Sequence, residues 1–101
     1  MMVSPIEVKR YDPPLDRGIA QAVSVLAAAN IETFEACEGG PGHAYPEPTV
    51  RFHGDQAEGF KALASAIRGG LRVAALRRVW PLLDGEPAGP WWELTFHATS
   101  R

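Results

Sequence analysis

Alternation of apolar and polar residues with a period of two predicts five β-strands in this chain. The predicted strands cover residues 6–9, 31–38, 49–53, 71–83 and 91–97. In the fourth of these, the alternation changes phase near Leu76 and Arg77, which predicts a bulge or the end of one ladder segment. The loop at residues 39–48 is rich in glycine and proline, so the strands on either side of it are expected to form a hairpin with a long loop.

Apolar residues at helical spacing predict two helices. The first runs from about residue 14 to Ala29, with Asn30 as a left-handed cap. The second begins with a capping box formed by Asp55 and Glu58 and ends at Gly69. The predicted apolar faces consist of Leu15, Ile19, Ala22, Val23 and Leu26 in the first helix and Phe60, Leu63, Ala64 and Ile67 in the second.

The order β-α-β-β-α-β-β predicts an α+β fold of the ferredoxin-like type, a two-layer sandwich with two helices on one face of an antiparallel sheet. The fifth and last strand is additional to the ferredoxin-like order β-α-β-β-α-β, and we expect it beside the fourth strand. A chain of 101 residues is long enough to bury one core, so residues 1–101 are expected to form a single domain.

The period-two pattern assigns each strand residue to one face of the sheet. The side chains expected to face the helices are Ile6, Val8, Phe34, Ala36, Val50, Phe52, Val73, Trp92, Leu94 and Phe96. Those expected on the open face are Glu7, Lys9, Glu35, Cys37, Arg51, His53, Glu93, Thr95 and His97. The open face thus combines a thiol, imidazoles, carboxylates and cations, which makes it the candidate site.

Matching the faces of the 31–38 and 49–53 hairpin favours Cys37 opposite Arg51 and Glu35 opposite His53. An arginine beside a cysteine favours the thiolate and raises its reactivity. A glutamate beside a histidine orients the imidazole for proton transfer or metal binding. Cys37, Glu35 and His53 are therefore the predicted catalytic residues, if the protein is an enzyme.

The loop at residues 39–48 contains three glycines and three prolines and is the most unusual local feature of the sequence. Its glycines supply backbone amides that suit a nest around an anion or a carboxylate. An exposed Trp91 near Tyr45 or Trp80 would add an aromatic contact surface. The candidate binding residues are Glu38, Gly39, Gly40, His43, Tyr45, Arg51, Trp91 and His97.

Composition excludes several classes of protein. The net charge of −2 disfavours nucleic-acid binding, although Arg68, Arg72, Arg77 and Arg78 form a basic group late in the chain. The single cysteine excludes an intramolecular disulfide and indicates a reducing compartment. No apolar run approaches the ~18 residues that a membrane span needs, and the first residues lack the features of a signal peptide. We therefore expect a cytoplasmic protein.

The sequence favours a small binding module, regulatory or inhibitory, that acts through the open sheet face and loop 39–48. Its partner would be a small molecule or a protein, and a homodimer could form through the same face. The alternative is a metal-assisted or cysteine-dependent hydrolase or transferase that uses Cys37, Glu35, His43 and His53. No cofactor is expected for the binding module, whereas Cys37, His43 and His53 are ligand types for zinc in the enzyme.

Overall fold

The computed structural model describes residues 17–40, 42 and 45–97 of the chain. In chain order the described elements are α1 (Arg17–Ala28), β1 (Thr33–Cys37), β2 (Thr49–Phe52), α2 (Gln56–Arg68), β3 (Val73–Val79), β4 (Leu82–Leu83), β5 (Glu86–Pro87) and β6 (Trp91–Phe96). The strand predicted at residues 6–9 lies outside the described residues, as does Leu15. The described elements confirm an α+β fold.

The ends of the two helices are set by the predicted local signals. Ile19, Val23 and Leu26 of α1 are buried, and Asn30 adopts the left-handed conformation with φ of 65° just after this helix. At the start of α2, the side chain of Asp55 accepts a hydrogen bond of 2.9 Å from the backbone N–H of Glu58. These contacts satisfy backbone groups that a helix end leaves without partners.

The buried face of α2 is rotated from the predicted one. Gly59, Ala62 and Ala66 are buried, whereas Phe60 and Ile67 are 53% and 60% exposed. A Cβ atom at Gly59 would lie 2.5 Å from the indole ring of Trp92, so α2 can approach the sheet only through small residues. Phe60 and Ile67 therefore lie on the flank of the helix, whereas Leu63 packs against the core as predicted.

The four-stranded antiparallel sheet has the order β1-β2-β6-β3, and β4 and β5 form a separate small hairpin. The prediction that the C-terminal strand lies beside the fourth strand is confirmed, because β6 pairs with β3, but its expected position at the edge of the sheet is wrong, because β6 lies between β2 and β3. In a ferredoxin-like sheet this interior position belongs to the first strand of the chain, so the order is not the canonical one. Five of the six residues of β6 are buried, which suits an interior strand.

A β-bulge in β1 changes the predicted faces. Thr33 lies opposite Phe52 and Glu35 lies opposite Arg51, which leaves Phe34 as the extra residue. Thr33 is therefore turned toward the core and is 3% exposed, while Phe34 and Glu35 both point away from the helices. The prediction that Phe34 faces the helices is wrong because alternation alone does not reveal an inserted residue.

A second bulge lies in β3 between Val73 and Ala75, earlier than the predicted phase shift. Val73 and Leu76 pack against the core, whereas Ala75 lies opposite Thr95 on the other face. The prediction that the shift falls near Leu76 is therefore wrong in position, and β3 is continuous as far as Val79.

The core lies between the helices and one face of the sheet. Neither described helix is long and apolar enough to cross a membrane. The buried core residues are Ile19, Ala22, Val23, Leu26, Ile31, Val50, Phe52, Ala62, Ala66, Trp92, Leu94 and Phe96.

Candidate functional site

A row of alternating charges crosses all four strands on the sheet face opposite the helices. Glu35 of β1 lies opposite Arg51 of β2, and Arg51 lies opposite Glu93 of β6. Glu93 also lies opposite Arg77 of β3. Because directly opposite residues point to the same side of a sheet, the four side chains share one face and alternate in sign.

Arg51 is the centre of this row. Its Nη1 atom lies 2.8 Å from Oε1 of Glu35, and its Nε atom donates to Oε2 of Glu93 at 3.2 Å. The guanidinium carbon also lies 4.9 Å from the ring centre of Tyr45 and 4.7 Å from that of Trp91. Arginine suits such a position because its planar group can bind carboxylates and stack on aromatic rings at once.

Further contacts tie the neighbouring side chains together. The hydroxyl of Tyr45 donates to Oε2 of Glu93 at 3.2 Å. Phe34 stacks on His53 with ring centres 4.4 Å apart and meets the edge of Trp91 at 5.5 Å. We call this group the Arg51 cluster; its members are Phe34, Glu35, Tyr45, Arg51, Trp91 and Glu93.

Much of this face is shielded from solvent. Thr49 and Thr95 are opposite each other on it and are 1% and 3% exposed, and Glu93 is 9% exposed. The hydroxyl of Thr49 donates to the carbonyl of Glu47, and that of Thr95 donates to the carbonyl of Ala75. The prediction of an open, solvated face is therefore wrong for the centre of the sheet, where polar groups are buried and hydrogen-bonded.

One buried polar atom of the cluster has no partner within the part of the chain that the structure describes. The indole Nε1 of Trp91 is buried, and no hydrogen-bond acceptor for it is found among the described residues. A buried donor of this kind costs about 1–3 kcal/mol relative to one that is satisfied. The side chain of Trp91 as a whole is only half-buried, so it also offers apolar surface.

The loop after β1 is partly closed by its own hydrogen bonds. The backbone N–H of Gly39 donates to Sγ of Cys37 at 3.4 Å, and that of Gly40 donates to the carbonyl of Pro46 at 3.0 Å. Gly39 has φ of 82°, and a side chain there would collide with the backbone of Glu47. Two amides of the predicted anion nest are therefore already used, and Glu38 beside them is half-buried.

The hairpin register separates the predicted catalytic residues. Cys37 lies opposite Thr49, not Arg51, and Glu35 contacts Arg51 rather than His53. The predicted pairings are wrong because the observed register differs from the predicted one by two residues, a shift that keeps each side chain on its face and that face matching therefore does not detect. His53 follows the far end of β2, four residues beyond Thr49 and thus roughly 13 Å from it along the strand.

The predicted zinc ligands are not brought together within the described residues. Cys37 is at one end of the hairpin and exposed His53 is at the other, while His43 lies outside the described residues. Across residues 17–40, 42 and 45–97, no three His, Cys, Asp or Glu side chains could hold one metal ion. His97 is exposed beyond the end of β6 and joins the sheet through its backbone N–H, which donates to the carbonyl of Arg72.

Phe34 and Glu93 belong to the cluster although neither is among the predicted catalytic or binding residues. The bulge turns Phe34 to this face, and the interior position of β6 brings Glu93 beside Arg51. Alternation does place Glu93 on the correct face. That Glu93 lies beside Arg51 follows only from the strand order, and the sequence contains no local signal for that order.

Comparison with protein-family models, with curated proteins and with solved structures finds no match to this chain. The fold and the site together define a two-layer α+β domain with a polar, partly buried sheet face built around one arginine.

Proposed function

We propose that the protein is a small binding module that acts through the Arg51 cluster and loop 39–48. Its partner is a protein that presents lysine or arginine side chains. The observation that carries this proposal is that two carboxylates and two aromatic rings contact Arg51 and fix its position. A surface fixed in this way loses little conformational entropy when it binds.

The residue types of the cluster support a protein interface. Tyrosine, tryptophan and arginine are the side chains that most often dominate binding energy at such interfaces. Phe34, Tyr45 and Trp91 are each half-buried, so each keeps surface that a partner can cover. His53 extends this surface because it is exposed and stacked on Phe34.

The charge of the site supports a cationic partner. Within the cluster, the carboxylates of Glu35 and Glu93 both pair with Arg51, so two negative charges meet one positive charge there. The side chain of Glu35 remains 41% exposed while it is bound to Arg51. A lysine or arginine from a partner would meet an accessible carboxylate beside aromatic rings, which favour cations.

An NMR titration tests this proposal. A short peptide that alternates arginine and glycine should shift the amide signals of Phe34, Glu35 and Tyr45 and the indole signal of Trp91. A peptide with glutamate in place of arginine should not. Added salt should weaken the binding, because the charged groups are partly exposed. Arginine amide as a separate probe distinguishes a small ligand from a protein segment.

A matched pair of variants controls for overall charge. Glu35→Gln should weaken binding of the arginine peptide about fivefold, which corresponds to about 1 kcal/mol. Glu58→Gln removes the same charge from α2, on the opposite side of the sheet, and should change little. The proposal fails if the arginine peptide shifts no signal of the cluster or if the two variants weaken binding equally.

A further inference from the structure

We infer that the outer edge of β3 binds an extended acidic segment of a partner protein as an added antiparallel strand. This surface is separate from the Arg51 cluster, since β3 is the edge opposite β1. Among the described residues β3 pairs only with β6, so its other side presents backbone N–H and C=O groups without a strand partner. Such an edge is a template for pairing with another chain.

The charge row gives the edge its chemical preference. Across the sheet the row runs Glu35, Arg51, Glu93 and Arg77, and it ends on a positive charge at the edge. Arg77 is exposed on this face. Arg78, on the helix side of β3, is also exposed, although its guanidinium lies over the ring of Trp92 and donates to the carbonyl of Gly54. A fifth strand with a carboxylate opposite Arg77 would continue the alternation, because opposite charges on directly opposed residues stabilise a sheet.

The flank of α2 gives the edge an apolar side. Gly69 approaches Val25 of α1, so the side of α2 near Gly69 faces α1. At ~100° per residue, Phe60 and Ile67 lie on the opposite side of the α2 axis. Because α2 packs over β3, this side of the helix overhangs the β3 edge. Both side chains are more than half exposed there.

The two features together specify a pattern for the bound strand. Its side chains alternate between the two faces of the sheet. On the helix side, apolar residues would cover Phe60 and Ile67. On the other side, a glutamate or aspartate would lie beside Arg77. The expected ligand therefore alternates β-branched and acidic residues.

Other occupants fit the charge less well. Two copies of β3 paired with each other would bring their arginines together, which is unfavourable. The β1 strand of a second copy offers Glu35 but only Thr33 and Ala36 toward the helix side, and repeated pairing of this kind generates a ring or an open filament instead of a dimer. Residues 6–10 of this chain, which lie outside the described residues, carry one carboxylate and two cations.

Hydrogen exchange and NMR on the full chain test the inference. The probe is a synthetic peptide as long as β3 that alternates valine and glutamate, and the control peptide has lysine in place of glutamate. The glutamate peptide should slow exchange of the β3 amides and shift their signals. Arg77→Glu should weaken its binding about tenfold and should favour the lysine peptide instead, since the charge at the edge is reversed.

The apolar flank is tested with a matched pair. Phe60→Ser should weaken binding of the glutamate peptide about fivefold, whereas Leu82→Ser, a change of another exposed apolar residue in the separate hairpin, should not. Equal binding of both peptides would overturn the inference. So would slowed exchange of the β3 amides without peptide that depends on protein concentration, which would assign the edge to a second copy. Slowed exchange that does not depend on protein concentration and is lost in Glu7→Lys would also overturn the inference, because it would assign the edge to the chain's own first residues.

Discussion

The two faces of the sheet are stabilised in different ways. The face toward the helices is filled by apolar side chains such as Val50, Phe52 and Leu94, each fully buried. The opposite face buries Thr49, Thr95 and Glu93 and is organised by ion pairs and rings around Arg51. The helix-facing side is stabilised by the burial of apolar surface alone. The opposite face is stable only if each buried polar group has a hydrogen-bond or ion-pair partner.

The largest effect is expected on the helix side. Phe52→Ala should lower the free energy of unfolding by about 3–5 kcal/mol, because it removes a fully buried ring and leaves a cavity. Urea unfolding followed by circular dichroism measures this change. A loss below about 1 kcal/mol would contradict the position of Phe52 in the core.

A smaller but substantial effect is expected at the centre of the other face. Arg51→Met keeps much of the side-chain volume but leaves Glu93, whose side chain is only 12% exposed, without its ion pair. We expect a loss of about 2 kcal/mol. The same measurement on Lys61→Ala, which breaks an exposed pair with Glu58, should show a loss below about 0.5 kcal/mol. Equal losses would mean that the Arg51 face is an ordinary solvated surface.

The smallest effect is expected at the accessible end of the charge row. Glu35→Gln keeps the shape of the side chain and should lower the free energy of unfolding by less than about 1 kcal/mol, because this carboxylate is 41% exposed. The variant should nevertheless weaken binding of the arginine peptide. A loss of stability as large as that of Arg51→Met would assign Glu35 a structural role in place of a binding role.

The sequence predicts the helix-facing side better than the other. Alternation and helical spacing identify Val50, Phe52, Trp92 and Leu94 as core residues and locate both helix caps, because these depend on local patterns. The bulge at Phe34 adds one residue without any local signal and turns Phe34 to the other face. The hairpin register also differs by two residues from the predicted one, which keeps the faces of the later residues but places Arg51 opposite Glu35 instead of Cys37.

Strand order is the other feature that the sequence does not reveal. The alternation in Trp91–Phe96 predicts a further strand after the fourth, but these residues do not indicate that it lies between β2 and β3. Its strong burial on both faces is visible only once its neighbours are known. Because Glu93 reaches Arg51 through this arrangement, the centre of the candidate site depends on tertiary structure.

A double-mutant cycle between Arg51 and Glu93 tests most directly whether this pair organises the face. The free energies of unfolding of Arg51→Met, Glu93→Gln and the double variant are compared with that of the original chain. The predicted coupling is at least about 1 kcal/mol, since the two side chains are in contact and largely shielded. A coupling near zero would contradict the account, because it would mean that the two residues stabilise the domain independently.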